Sequence, residues 1–131
     1  MVTDPISDFL IRIKNASMIG KESVSLPLSR MKLSIAEILE REGYLAAVDK
    51  KDPATGARTL TVALAYKNGR PVITGVKRIS KPSRRMYLSV HDIKPIKRGY
   101  GLLVLSTPAG VLTGKEAHDK RVGGEALFEI W

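Results

Sequence analysis

Four consecutive apolar residues, Leu102, Leu103, Val104 and Leu105, lie within residues 101–113, which read Gly-Leu-Leu-Val-Leu-Ser-Thr-Pro-Ala-Gly-Val-Leu-Thr. An apolar run without polar alternation predicts a strand buried on both faces, and the fold must supply packing on either side of it. Ser106, Thr107, Pro108 and Gly110 then carry turn chemistry, so the strand is expected to end in a polar loop. Thr113 and Glu116 have the spacing of a capping box, which predicts a short helix over Lys115, Glu116 and Ala117 through Arg121. Two hydroxyls on a rigid strand end make a hydrogen-bonding tip. The alternative is that they only cap the turn before Gly110.

The rest of the chain yields further elements. Asp4-Pro5 is a helix start, with Asp4 able to cap and Pro5 suited to the first helical position. Ile6, Phe9, Leu10, Ile13 and Ala16 follow at helical spacing as a core stripe. Arg12, Lys14 and Asn15 form either a solvated face or phosphate contacts. Residues 22–26 alternate as a strand ended by Pro27. Ser29 caps a second helix with the stripe Met31, Ile35, Ile38 and Leu39, which Gly43 ends. Residues 44–50 and 58–66 predict a hairpin about Asp52-Pro53-Ala54-Thr55-Gly56. The first half is thus α-β-α-β-β, and Asn68-Gly69-Arg70-Pro71 is a turn. Strands are expected over 72–78, 86–90, 102–105 and 125–131. The fold class is α+β, with an N-terminal subdomain over 1–66 and a mainly antiparallel C-terminal one over 67–131. Gly123-Gly124 permits a tight turn into the last strand or close approach of a ligand.

Charge indicates the partner. The net charge of +9 is unevenly placed: residues 1–66 hold nine Lys or Arg against eight Asp or Glu, and 67–131 hold thirteen against five. From position 70 to 98 stand Arg70, Lys77, Arg78, Lys81, Arg84, Arg85, Lys94, Lys97 and Arg98, with Asp92 as the lone acid. Such a segment implies a polyanionic partner, because a merely solvated face would mix its signs. Within it, Lys81, Pro82, Ser83 and Arg84 form a basic loop leading into Tyr87. An aromatic beside cations suits base stacking with phosphate contact, or is a half-buried packing residue.

Other classes lack support. Apolar runs such as 62–66 are far shorter than the roughly 20 residues that span a bilayer, and Asp4 and Asp8 stand where a signal peptide would be basic. A cytoplasmic protein with no membrane partner is expected, and the absence of cysteine fits a reducing compartment. His91 and His118 have no carboxylate at metal-binding helical spacing, Ser106 sits in no nucleophile motif, and there is no phosphate loop. No enzyme activity, metal, cofactor or small-molecule substrate is expected.

Four motifs carry a family resemblance: Thr3-Asp4-Pro5-Ile6-Ser7-Asp8-Phe9-Leu10 with Arg12-Ile13-Lys14-Asn15-Ala16; Arg78-Ile79-Ser80-Lys81-Pro82; Leu105-Ser106-Thr107 with Gly110-Val111-Leu112-Thr113; and Val122-Gly123-Gly124-Glu125 through Trp131. In order and spacing, along the whole chain, they resemble the S-eight family of bacterial small-subunit ribosomal proteins. The resemblance implies a structural constituent of the small subunit that binds 16S ribosomal RNA early in assembly, its C-terminal domain gripping an irregular stem of the central domain. It assigns contacts with unstacked bases and sugars to Ser106, Thr107 and Gly110, a basic loop and following aromatic to Lys81, Pro82 and Tyr87, and the segment beside the tip to Gly124 and Glu125. Thr3, Asp4, Arg12 and Asn15 match a helix approaching a neighbouring RNA stem. Neighbouring small-subunit proteins are implied partners, and in some bacteria so is the family member's own operon messenger RNA. Two residues depart from the pattern: Pro108 replaces a usual serine and Ser83 a usual glycine.

The competing class is a basic regulator that binds DNA or messenger RNA. A DNA reader should offer a recognition helix rich in Arg, Asn or Gln, whereas the second helix presents Lys32, Glu37, Glu40, Arg41 and Glu42.

Overall fold

The computed structural model describes residues 4–93 and 101–131, which fall into two compact units, Pro5–Thr74 and Gly75–Trp131, the latter including Asp4. The expected division at 66/67 lies eight residues earlier. The Asn68-Gly69 turn instead closes a small hairpin inside the first unit, Tyr66–Lys67 (β4) against Arg70–Pro71 (β5). Both turn residues have positive φ, 53° and 75°, the backbone that a two-residue hairpin requires.

In the first unit, helix α1 (Pro5–Met18) and helix α2 (Arg30–Arg41) pack with strands β1 (Ser23–Pro27), β2 (Leu45–Lys51) and β3 (Thr59–Leu64). The antiparallel order is β1-β3-β2. The stripes serve as expected: Phe9, Leu10, Ile13 and Ala16 are buried on α1, and Ile35, Ile38 and Leu39 on α2, together with Leu60, Val62 and Leu64. Each fully buried large side chain contributes about 1.5–3 kcal/mol, so this apolar face fixes the unit. Ser29 caps α2 by accepting the Lys32 N–H at 3.2 Å. Gly43, at φ 87°, ends it, with the Tyr44 N–H donating back to the Leu39 carbonyl.

The second unit is built on strands β6 (Val76–Arg78), β7 (Tyr87–Leu88), β8 (Leu102–Thr107), β9 (Gly110–Thr113) and β10 (Gly124–Ile130), with helix α3 (Gly114–Asp119) and one 3-10 turn, Val90–Asp92. The sheet runs β6-β10-β8-β9, and β7 pairs with β10 as well, so β10 touches three strands. Leu103, Leu105, Leu112, Ala117 and Ala126 form the core on one face, with Ile79, Leu88, Ile93 and Val122 against it. The capping box at Thr113 and Glu116 is present, both hydrogen bonds at 3.1 Å. α3 stops at Asp119, short of the expected Arg121, whose left-handed φ of 55° closes the helix end.

Two strand expectations change. The strands expected over 72–78 and 86–90 shorten to Val76–Arg78 and Tyr87–Leu88, the stretches in register with β10. The strand from Leu102 continues through Ser106 and Thr107, and β9, unforeseen, returns along it with Thr107 opposite Gly110. The tip is therefore a two-residue turn, Pro108-Ala109, rather than a polar loop. Thr3, Lys94, Lys97 and Arg98 lie outside the described residues.

Candidate nucleic-acid interface

Two hairpin tips and one row of side chains define the candidate surface on the second unit. Tyr87 pairs with Glu125, and Glu125 with Ser106, across β7, β10 and β8. Directly opposed residues in antiparallel strands project to the same face, so Tyr87, Glu125 and Ser106 form one row opposite the face of Leu105 and Ala126. Two strand spacings put Tyr87 and Ser106 about 10 Å apart. The Tyr87 side is 70% exposed and thus free to stack, which answers the packing alternative.

The hydroxyl tip divides its two groups. Thr107 Oγ1 donates to the Gly110 carbonyl at 2.7 Å and accepts the Ala109 N–H at 3.1 Å, so it closes its own turn. Ser106 is half-buried, and among the described residues its hydroxyl has no hydrogen-bond partner. Gly110, at φ 112°, accommodates the turn. Pro108 occupies the first turn position, where its fixed φ is suited, so the departure from serine has a conformational account.

The basic loop is a second tight hairpin. Lys81 and Arg84 exchange backbone hydrogen bonds of 2.9 and 3.0 Å, with Pro82 and Ser83 at the apex, and Lys81 through Arg85 are all exposed. Below the apex Ser80 is fully buried. Its hydroxyl donates to Glu125 Oε2 and accepts the Met86 N–H at 3.2 Å, while Arg85 Nη1 donates to the same carboxylate oxygen at 3.1 Å. Burial opposes ionisation of Glu125, but the hydrogen bonds from Ser80 and Arg85, with the charges of Arg85 and Arg78, outweigh it and hold the carboxyl below the usual range.

Glycines seal the site. A Cβ on Gly124 would overlap the Ser106 carbonyl oxygen and lie 2.9 Å from Thr107 Cγ2; one on Gly123 would overlap the Leu88 carbonyl and lie 3.0 Å from Ser89 Cα. Neither glycine has positive φ, and both permit close approach of β7 and β8 to β10.

Not every cation in the basic segment is available. Arg78 is 9% exposed and pairs with Asp4, its Nε 3.1 Å from Oδ2, and also donates to the Leu127 carbonyl. Sequence periodicity could not show this pair, whose members are 74 residues apart. Ser80 was also hidden, as one small polar residue in a polar loop. In the first unit, Arg12 pairs with Asp8 at 3.2 Å, Lys14 is half-buried and Asn15 exposed.

The model of the family described as ribosomal protein S8 matches residues 4–131. The chain belongs to the ribosomal protein S8 family. It is 49% identical over 131 residues to the small ribosomal subunit protein uS8 of Desulfovibrio desulfuricans, covering 100% of both chains. With the uS8 protein of Roseiflexus castenholzii it shares 48% over 133 residues, 99% of this chain and 98% of that one. With that of Rhodopseudomonas palustris it shares 44% over 128 residues, 98% and 97%. The S8 family is structural rather than enzymatic, and the α+β architecture, with an N-terminal α/β part and a C-terminal β part, is its fold.

Proposed function

We propose that the chain, as a structural constituent of the small ribosomal subunit in the cytoplasm, binds 16S ribosomal RNA directly through its second unit, gripping an irregular stem of the central domain and supporting assembly. The observation carrying this reading is the register row that sets the exposed Tyr87 and the half-buried Ser106 on one sheet face. Single-stranded and irregular RNA is read by stacking on aromatics and by hydrogen bonds to base edges and 2′-hydroxyls, which a regular duplex hides. Lys81 and Arg84 supply cations for phosphate. Contacts by Arg12, Lys14 and Asn15 with a second RNA segment, and by other surfaces with neighbouring small-subunit proteins, belong to the same reading. A messenger RNA presenting the same stem would be bound by the same residues.

Titrating the full chain against the isolated stem at increasing salt tests it. Affinity should fall steeply and log-linearly, since each phosphate neutralised releases counterions. Binding insensitive to salt, or equal binding to a regular duplex, would contradict it.

A further inference from the structure

We propose that Glu125 and Ser80 are positioning residues for RNA binding: they fix the stalk of the Lys81–Arg84 hairpin so that its cations meet phosphate, and they do not themselves touch RNA. This rests on the RNA-binding reading above and assigns Glu125 a role other than the contact its family position implies.

Both feet of the hairpin are bound to β10 at one residue, Ala126. Ser80 N–H donates to the Ala126 carbonyl at 3.0 Å, and the Ala126 N–H donates to the Met86 carbonyl at 2.9 Å. Between these bonds lies the side-chain link, with Ser80 Oγ joined to both Glu125 Oε2 and the Met86 N–H. Ser80 has no exposed surface and therefore cannot reach a ligand. The Glu125 side chain is 17% exposed, and one of its oxygens already accepts two donors. A carboxylate turned toward phosphate would repel it. Here Ser80 and Arg85 hold it inward, between Tyr87 and Ser106 on the flanking strands.

The chemistry is that of a strut. Beyond the stalk only the Lys81–Arg84 backbone pair braces the apex among the described residues, so the direction in which Lys81 and Arg84 project is set at Ser80 and Met86. Loss of either strut member lets the cations spread over many orientations, of which few match the phosphate spacing.

The experiment uses the full chain, the isolated 16S central-domain stem, and Glu125→Gln, Ser80→Ala, Arg84→Ala and their doubles. Glu125→Gln is expected to weaken binding roughly tenfold, to lower the salt slope, and to blunt the further effect of Arg84→Ala, because the mutated strut and the cation act as one unit. In the RNA-free protein, Glu125→Gln and Ser80→Ala should both speed hydrogen exchange at the Met86 amide, which reports the strut even if Ser80→Ala is too unstable for titration. Independent effects of Glu125→Gln and Arg84→Ala with an unchanged slope would overturn the proposal, as would wild-type affinity in Glu125→Gln. A wild-type chain that fails to bind the stem is a separate result: it overturns the RNA-binding reading and the positioning role with it.

Discussion

The two hairpin tips of the second unit share a plan and differ in what they expose. Lys81-Pro82-Ser83-Arg84 and Thr107-Pro108-Ala109-Gly110 each place proline first in a two-residue turn closed by backbone pairing. At the basic tip the side chains all face solvent and the support lies below, at Ser80 and Glu125. At the other tip Thr107 is itself the support, and among the described residues Ser106 is the hydroxyl left to face a partner. Long cationic side chains can reach phosphate from a projecting turn once its stalk is braced, whereas a hydrogen bond to a base edge needs the donor itself fixed. The hydroxyl accordingly sits in a paired strand, and the cations sit on a projecting turn.

The largest effect should come from forcing the strands apart beneath the hydroxyl tip. Gly124→Ala is expected to cost about 1–3 kcal/mol of stability through overpacking against Ser106 and Thr107, and to lose stem binding in proportion; thermal unfolding and titration of one sample check both. Next, Ser106→Ala should cost about 1–3 kcal/mol of binding, since RNA polar groups are left unpaired, with melting temperature and salt slope unchanged. Thr107→Ala should do the reverse, lowering stability by about 0.5–1.5 kcal/mol while the folded protein binds nearly as wild type. Equal binding losses at the two positions would erase the distinction drawn between them. At the basic tip, Lys81→Ala or Arg84→Ala should lower the salt slope by about one and leave selectivity among stems intact.

The smallest effect concerns acid. The Glu125 carboxyl is held below its ordinary value in the folded state, so its contribution is fully present above the unfolded value of roughly 4.3 and is lost as pH falls through the lower folded value. Wild type should therefore lose Met86 amide protection in that acidic window, and Glu125→Gln should show a flatter profile. Protection that rises on acidification would have the wrong sign for this account.

Much of this was legible from residue order. The α1 and α2 stripes, the caps at Ser29 and Thr113, and the Gly43 stop follow from periodicity and local hydrogen bonding, which nearby residues decide. What was not legible depends on distant partners. Arg78 counts as a free cation until Asp4 is beside it. Glu125 looks like a lone acid near a binding loop until Ser80 and Arg85 converge on it. β9 was missed because Gly110, Val111 and Leu112 are too few to show a period of their own, though Pro-Ala between Thr107 and Gly110 was a two-residue turn in plain view. The Ser106 and Tyr87 row needed the registers of two strand pairs, which no single stretch of sequence contains.

The place of β10 bears on timing. It pairs with β6, β7 and β8, and it follows all of them along the chain. During synthesis, at roughly 5–20 residues per second, residues 5–74 have everything they need to fold while the remainder is still being made. The second unit has to wait, with β6 and β7 unpaired and β8 paired only to β9, until β10 emerges. A chain halted after Gly123 should show amide protection in α1, α2 and β3 and none in β6 or β7, so the surface that holds Tyr87, Glu125 and Ser106 in line comes into being in a single late step.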